Sequence, residues 1–329
     1  MKISFNRVST GPEELAAVKE VLDSGWLAAG PKTEQFEKEF ARYVGVKYAI
    51  FTNSCTSALK MAYKWVLETR TNEYGFELIY PSNTFCATYA AGKEVGLDMF
   101  AYDKAKEWDA LYKKFGWPKI DRACKRVNVH YGSVKDETPC LIEDSAHRIE
   151  PNDPLIGRIR CYSFYATKNM TTGSGGMFTT NDRDIYERAR LYWKDGLDKG
   201  TRERFSSPVY SVVTMAGGYD GNDIAAAIGI EQLKKLPEFT KRRNEIVARY
   251  NQAFGQSWEG NHLYPLLLGV EKVFKFIEEM DKAGIKCGYH YPNTNWPSVS
   301  LPLYPLLTDE EVEYIIRSSL DIRDRLQKL

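Results

Sequence analysis

The stretch from Lys47 to Glu68, KYAIFTNSCTSALKMAYKWVLE, passes from a short apolar run into a longer segment with helical spacing. KYAIFT (47–52) is short, apolar and rich in aromatic and branched side chains, which reads as a buried strand. The residues after it read as a helix, and the turn between them, Asn53-Ser54-Cys55-Thr56-Ser57, is crowded with small polar side chains. The same alternation recurs further on. FELIYP (76–81) reads as a strand followed by the helix SNTFCATYAAGKEVG, and LDMFAYD (97–103) as the next strand. TPCLIED (138–144), RCYSFYA (160–166) and GMFTTN (176–181) supply three more. Strands alternating with helices predict an α/β fold whose sheet is mostly parallel and flanked by helices.

Upstream, GPEELAAVKEVLDSG reads as a helix capped by Ser9 and Thr10 and stopped by Gly25. KTEQFEKEFARYVG follows, with Phe36, Phe40 and Val44 on one helical face. Beyond residue 182 the pattern turns helical: DRDIYERARLYWKDG, then NDIAAAIGIEQLKKL, then EFTKRRNEIVARYNQAF. The remainder mixes helix and strand and closes on a capped helix beginning at LTDEEVEY. The expected organisation is a large domain over 1–235 and a small α+β C-terminal domain over 236–329, with residues 1–25 placed to pack on the small one. The basic run KKLPEFTKRR (234–243) reads as a solvated helix face.

Composition narrows the function classes. A formal net charge of +1 over 329 residues lacks the basic excess of a nucleic-acid surface. Six cysteines without a CxxC pair read as reduced thiols in a cytoplasmic protein. Four scattered histidines give no metal-site pattern. The N-terminal segment turns acidic too soon for a signal peptide, and no apolar run approaches the roughly 18 residues that cross a bilayer.

In an open parallel sheet, ligands bind beyond the carboxyl ends of the strands. Four expected strands run there into unusual polar residues: Ser54 to Ser57, Ser82 to Phe85, Asp144 to His147, and Lys168. The first turn reads either as a helix N-cap or as an anion site made of free backbone N–H groups and hydroxyls. Glu143-Asp144 reads as a solvated turn or as a carboxylate held against a cation, and His147 as structural or as a partner for a flat ligand. SFYATKNMTTGSGGM (163–177) puts Lys168 before its glycines, whereas a nucleotide-binding loop needs the glycines first. A strand-end lysine in partly apolar surroundings has a lowered pKa and a nucleophilic amine. Pyridoxal chemistry requires such an amine, an anion site and a carboxylate, and the three clusters match those needs.

Several blocks together resemble the DegT family. They are SGWLAAGPKTEQFEKEF, NSCTSALKMA, YPSNTFCAT, VHYG, LIEDSAH, SFYATKNMTTGSGGMFTTND, DIAAAIGIEQL and SLPLYPLLTDEEVEYII, which occur in family order from residue 9 to about 317. The DegT family comprises nucleotide-sugar aminotransferases dependent on pyridoxal 5′-phosphate (PLP), within fold type I of the aspartate aminotransferase superfamily. The resemblance implies a ping-pong transfer of an amino group, with glutamate as donor by analogy, to a keto-sugar nucleotide. It also implies a homodimer whose two active sites share residues. Lys168 looks like the lysine that forms a Schiff base with the cofactor and then carries a proton between Cα and C4′. Asp144 looks like the partner of the pyridine nitrogen. Ser163, Cys55 and Thr56 match phosphate ligands, Phe85 the aromatic packed on the ring, and His147 the position beside O3′.

This chain departs from the family pattern in several places. Cys55 stands where a glycine is usual. GGYDGND (217–223) replaces a segment that lends an Asn to the neighbouring subunit's phosphate, so Gly218 or Asp220 aligns with that Asn and Asn222 is a substitute. The stretches 103–140 and 289–296 are short. Those shortened loops motivate a second reading, in which a PLP enzyme decarboxylates, eliminates or transaminates an amino acid or a modified nucleotide. A third, a non-catalytic regulator, predicts loss of the lysine or the aspartate, and both are present. Trp26, Tyr131, Tyr289 and Trp296 are aromatic candidates for either the acceptor site or packing.

Overall fold

Six of the seven strands that build the main sheets were legible as apolar runs. The computed structural model describes residues 1–70, 77–102, 126–200, 207–292 and 298–327. The strands are β1 (Tyr48–Thr52), β2 (Glu77–Pro81), β3 (Asp98–Tyr102), β4 (Val127–Val129), β5 (Ile142–Ser145), β6 (Ile159–Ser163) and β7 (Gly176–Thr180). The three-residue β4, in the VHYG block, was not expected from its sequence. A five-stranded sheet runs in the order β1-β7-β6-β5-β4. β4, β5 and β6 are parallel, while β7 runs antiparallel to both of its neighbours. β2 and β3 pair in parallel, and a parallel bridge between Ile79 and Arg126 brings β2 alongside the β4 end. The fold is therefore the mostly parallel α/β arrangement expected, with one reversed strand.

Of the first four helices, α1 (Pro12–Ser24), α2 (Pro31–Val44), α3 (Cys55–Arg70) and α4 (Ala87–Glu94), α2 and α3 pack on this sheet and α4 packs on α3 and β3. α5 (Arg183–Trp193) packs with α3 on the sheet. The start of α1 differs from expectation. Its N-cap is Gly11, not Ser9 or Thr10, and the Gly11 N–H donates to Glu14 Oε2 at 2.7 Å. The two helices expected on either side of Pro237 are one helix, α6 (Asp223–Phe254). Tertiary packing on α1 and α2 holds its first half in place, so proline removes one backbone donor without ending the helix.

Asp223, the first residue of α6, ties two helix starts together. Its carboxylate accepts the N–H groups of Gly30 (2.8 Å), Lys32 (3.1 Å) and Thr33 (2.9 Å) and the Thr33 hydroxyl (2.8 Å), all at the start of α2. These are donors that a helix cannot satisfy within itself, and a negative charge there also suits both helix dipoles.

A second apolar cluster gathers Tyr250 and Phe254 of α6 with β8 (Tyr264–Leu267), α7 (Val270–Lys282), β9 (Ser298–Leu301) and α8 (Asp309–Gln327). Ile3 joins this cluster and bridges Ile285. The basic run at 234–243 is not uniformly solvated. Lys235 is paired with Glu13 and Glu14, Arg242 with Asp309, and Arg243 is buried.

Candidate active site

Adjacent residues on a strand face opposite sides of the sheet, and this separates Glu143 from Asp144 on β5. Glu143 is fully buried in an ionic cluster, where its Oε2 accepts from Arg160 Nη2 (2.6 Å) and from His130 Nε2 (2.9 Å). His130 Nδ1 accepts the Asp136 N–H, so Nε2 carries the ring proton. Asp144 faces the other way, into a cavity of about 530 Å³ at the strand ends. The pair is thus neither a solvated turn nor a single unit.

All seven residues singled out in the sequence line that one cavity: Cys55, Thr56, Phe85, Asp144, His147, Ser163 and Lys168. Asp144 Oδ2 accepts from Thr88 Oγ1 at 2.7 Å, and Oδ1 from the Ala146 N–H at 3.1 Å. Because Thr88 donates to the carboxylate, the Thr84 hydroxyl donates to Thr88, at 2.6 Å. Burial pushes Asp144 above the usual carboxylate range, against the pull of those two hydrogen bonds and of Lys168. Lys168 follows the end of β6 in a turn closed by its own N–H on the Tyr165 carbonyl, 2.9 Å. Burial lowers its pKa to about 8, opposed by Cys55 and Asp144, which leaves the amine largely neutral above about pH 8.

The Ser54 to Ser57 turn is both a cap and an open cradle. Ser54 Oγ accepts the Ser57 N–H at 3.1 Å, which caps α3. Ser54, Cys55 and Thr56, at this helix start, line the same cavity. A Cβ on Gly176 would collide with the Cys55 amide nitrogen and the Ser54 carbonyl, so only glycine lets β7 pack this closely on the start of α3. Ser163, at the end of β6, lies directly across from Gly176. The Cys55 thiol is buried, and burial pushes its pKa well up.

Opposite stand residues from elsewhere in the chain. His147 Nδ1 accepts the Gly132 N–H at 3.2 Å, so its Nε2 carries the proton and donates to Tyr291 Oη at 2.9 Å. Burial, followed by the Lys168 charge, holds His147 well below its usual range, and it is neutral. The Tyr291 ring lies against Phe85, with centroids 5.9 Å apart. Phe85 itself is 56% exposed at the cavity mouth. His262 and His290 complete this wall, and burial lowers His290 to about 4. Among the aromatic candidates, Tyr289 lines the cavity, Tyr131 donates to the His290 carbonyl from behind it, and Trp26 lies elsewhere. Trp296 is outside the described residues. His262 was not anticipated, because nothing in its local spacing points to a site built about 120 residues upstream, whereas His290 and Tyr291 fall in the 289–296 segment singled out as a shortened loop, without roles of their own.

Asp220 and Asn222 both have partners within the chain. Asp220 accepts from Lys194 at 2.6 Å, and Asn222 Oδ1 caps α6 through the Ala225 N–H.

A family model described as the DegT/DnrJ/EryC1/StrS aminotransferase family matches residues 8–108 and 139–298. The chain belongs to this family. It is 32% identical to the uncharacterized protein MJ1066 of Methanocaldococcus jannaschii, with 95% of each chain covered. It is also 32% identical to the spore coat polysaccharide biosynthesis protein SpsC of Bacillus subtilis, again over 95% of each. Among solved structures it is similar to Helicobacter pylori PseC, an aminotransferase involved in the biosynthesis of pseudoaminic acid. That match has 25% identity and a TM-score of 0.85, covering 99% of this chain and 100% of PseC. As a DegT-family protein it has fold type I and is a PLP-dependent aminotransferase.

Proposed function

We propose that the protein transfers an amino group, with glutamate as the donor, to a keto-sugar nucleotide in two half-reactions that use the same lysine. The observation that carries this reading is a half-buried lysine with a pKa lowered to about 8, in one cavity with a buried carboxyl. The named functions of PseC and SpsC, in the making of a sugar acid and of a polysaccharide, support a sugar acceptor.

The residues present fit PLP. The start of α3 at Cys55 and Thr56, where a helix leaves backbone N–H groups free, and the Ser163 hydroxyl line one cavity, and together they suit a phosphate. When bound, the cofactor supplies an electron sink for the carbanion formed at Cα. Lys168 provides the covalent attachment and then, as a neutral amine, holds and moves the proton between Cα and C4′. Asp144, whose charge burial disfavours, gains a cation to face in a protonated pyridine nitrogen, and Thr88 and the Ala146 N–H aim its oxygens. His147, neutral and fixed by Gly132 and Tyr291, and Phe85 at the mouth would hold the cofactor ring when it is bound.

We read the protein as a cytoplasmic homodimer. The cysteines among the described residues are free, and no described helix is long and apolar enough to cross a membrane. A run of exposed apolar side chains, Val209, Tyr210, Val212, Val213 and Met215, supports the dimer.

The test is to mix holoenzyme with glutamate and follow 2-oxoglutarate release, then add keto-sugar nucleotides and follow the amino sugar. Release of one equivalent in the first step is expected, together with its loss in Lys168→Ala. Absence of the half-reaction in the native protein would sink the aminotransferase reading of this site.

A further inference from the structure

The basic run at 234–243 ends in a side chain that the site above does not use. Arg243, on α6, is only 4% exposed. Its Nη1 donates to the Asn169 carbonyl at 3.1 Å and its Nη2 to the Lys168 carbonyl at 3.5 Å. Its Nε makes no hydrogen bond, and among the described residues no carboxylate pairs with it. Burial alone pulls the guanidinium down to about 10.

A buried cation without a counter-charge is costly, and an apolar side chain of similar size fills such a space more cheaply. What arginine adds is a rigid, planar fork of donors. Here the fork lands on two consecutive carbonyls of the loop that carries the lysine. The same loop is held twice more: Asn169 Nδ2 donates to Asn261 Oδ1 at 3.3 Å, and the Thr171 N–H donates to Gln232 Oε1 at 3.3 Å. Gln232 also lies on α6, about three turns before Arg243. One helix therefore grips the lysine loop at 168–169 and again at 171.

We propose that Arg243 is a positioning residue for Lys168. Its fork fixes the main chain of residues 168 and 169, so that the lysine amine enters the cavity at one place in both half-reactions. The inference rests on the reading of Lys168 as the covalent lysine. It differs from a substrate-binding role because Arg243 is absent from the lining of the large cavity. A defect in lysine placement slows both half-reactions alike, whereas loss of a substrate contact raises the KM of one substrate.

The test compares holoenzyme of the native chain, Arg243→Met and Arg243→Lys, with all rates scaled to the cofactor-loaded fraction. Borohydride fixation of PLP on Lys168 in the native chain is measured first. If it fails, the reading of Lys168 itself falls, and this inference with it. Where it succeeds, Arg243→Met is expected to slow both half-reactions about 10- to 100-fold, the scale of a small misplacement of a reacting group. The KM values for donor and acceptor stay at their native level, and the pH midpoint of the visible cofactor absorption shifts. Arg243→Lys recovers only part of the rate, because one ammonium cannot reproduce the fork. Native rates in both halves of Arg243→Met overturn the proposal, as does a loss confined to the KM of one substrate. If Arg243→Met does not fold, Arg243→Lys decides: native rates there overturn the proposal, and slowed rates with unchanged KM support it.

Discussion

Lys168 owes its chemistry to where its chain neighbours put it. A lysine in water keeps its amine protonated until far above neutrality. Here burial brings the pKa to about 8, with Cys55 and Asp144 opposing. The sign is simple: above that value the amine is neutral and nucleophilic, and below it the proton blocks attack. Capture of PLP by the apoprotein should therefore accelerate about tenfold per pH unit up to roughly pH 8 and then level off. Stopped-flow absorbance would show this, and a profile that keeps climbing past pH 10 would mean that the lysine is not perturbed. Lys168 and Asp144 were legible in the sequence because each lies where an apolar strand gives way to polar residues, and strand ends share one edge; Ser163 was legible only through the family resemblance. Arg243 was not legible, since the loop that buries it lies about 75 positions away and its local pattern is that of a charged surface.

At the scale of elements, the phosphate cradle is a meeting of three backbones: the end of β6, the start of antiparallel β7 and the start of α3. Their closest point is Gly176, opposite Ser163 and against the Cys55 amide. Gly176→Ala forces the strand or the helix start to shift, a strain of about 1–3 kcal/mol. The expected reading is weaker PLP affinity at an unchanged far-ultraviolet circular dichroism spectrum; native affinity would show that the cradle is not the phosphate site. Strand positions were readable from apolar runs, but the direction of β7 was not, because an isolated strand carries no mark of its partner's polarity. The α6 helix was misread for a related reason. Proline at 237 is a local signal to stop, and the packing that overrides it comes from α1 and α2, some 200 residues earlier in the chain.

For the whole molecule, the apolar strip at 209–215 is the feature without an intrachain explanation. Five large apolar side chains there are at least half exposed, which is unusual for a contiguous surface of a monomer. If the strip is the subunit interface, Val212→Asp with Met215→Asp should shift the protein from dimer to monomer in light scattering. A native chain that is already monomeric at micromolar concentration would remove the basis for the shared-site reading. Surface of this kind is legible in a sequence only as an odd run of hydrophobic residues, VYSVVTM (209–215), between polar neighbours. The C-terminal wall of the cavity was harder still, because His262, His290 and Tyr291 reach it only after the second apolar cluster has formed.

Asp223 bears on how variants of this chain would sort in a saturation survey scored separately for abundance and for turnover. Its one carboxylate serves three backbone N–H groups and a hydroxyl on α2 while starting α6. Alanine there strands four donors, at about 1–3 kcal/mol each where they are buried, against a total stability of about 5–15 kcal/mol for a typical fold. Position 223 should therefore tolerate change as poorly as position 168, yet fall on the opposite axis. Substitutions at Lys168 leave soluble, silent protein, whereas those at Asp223 deplete the protein and leave each surviving molecule close to fully active.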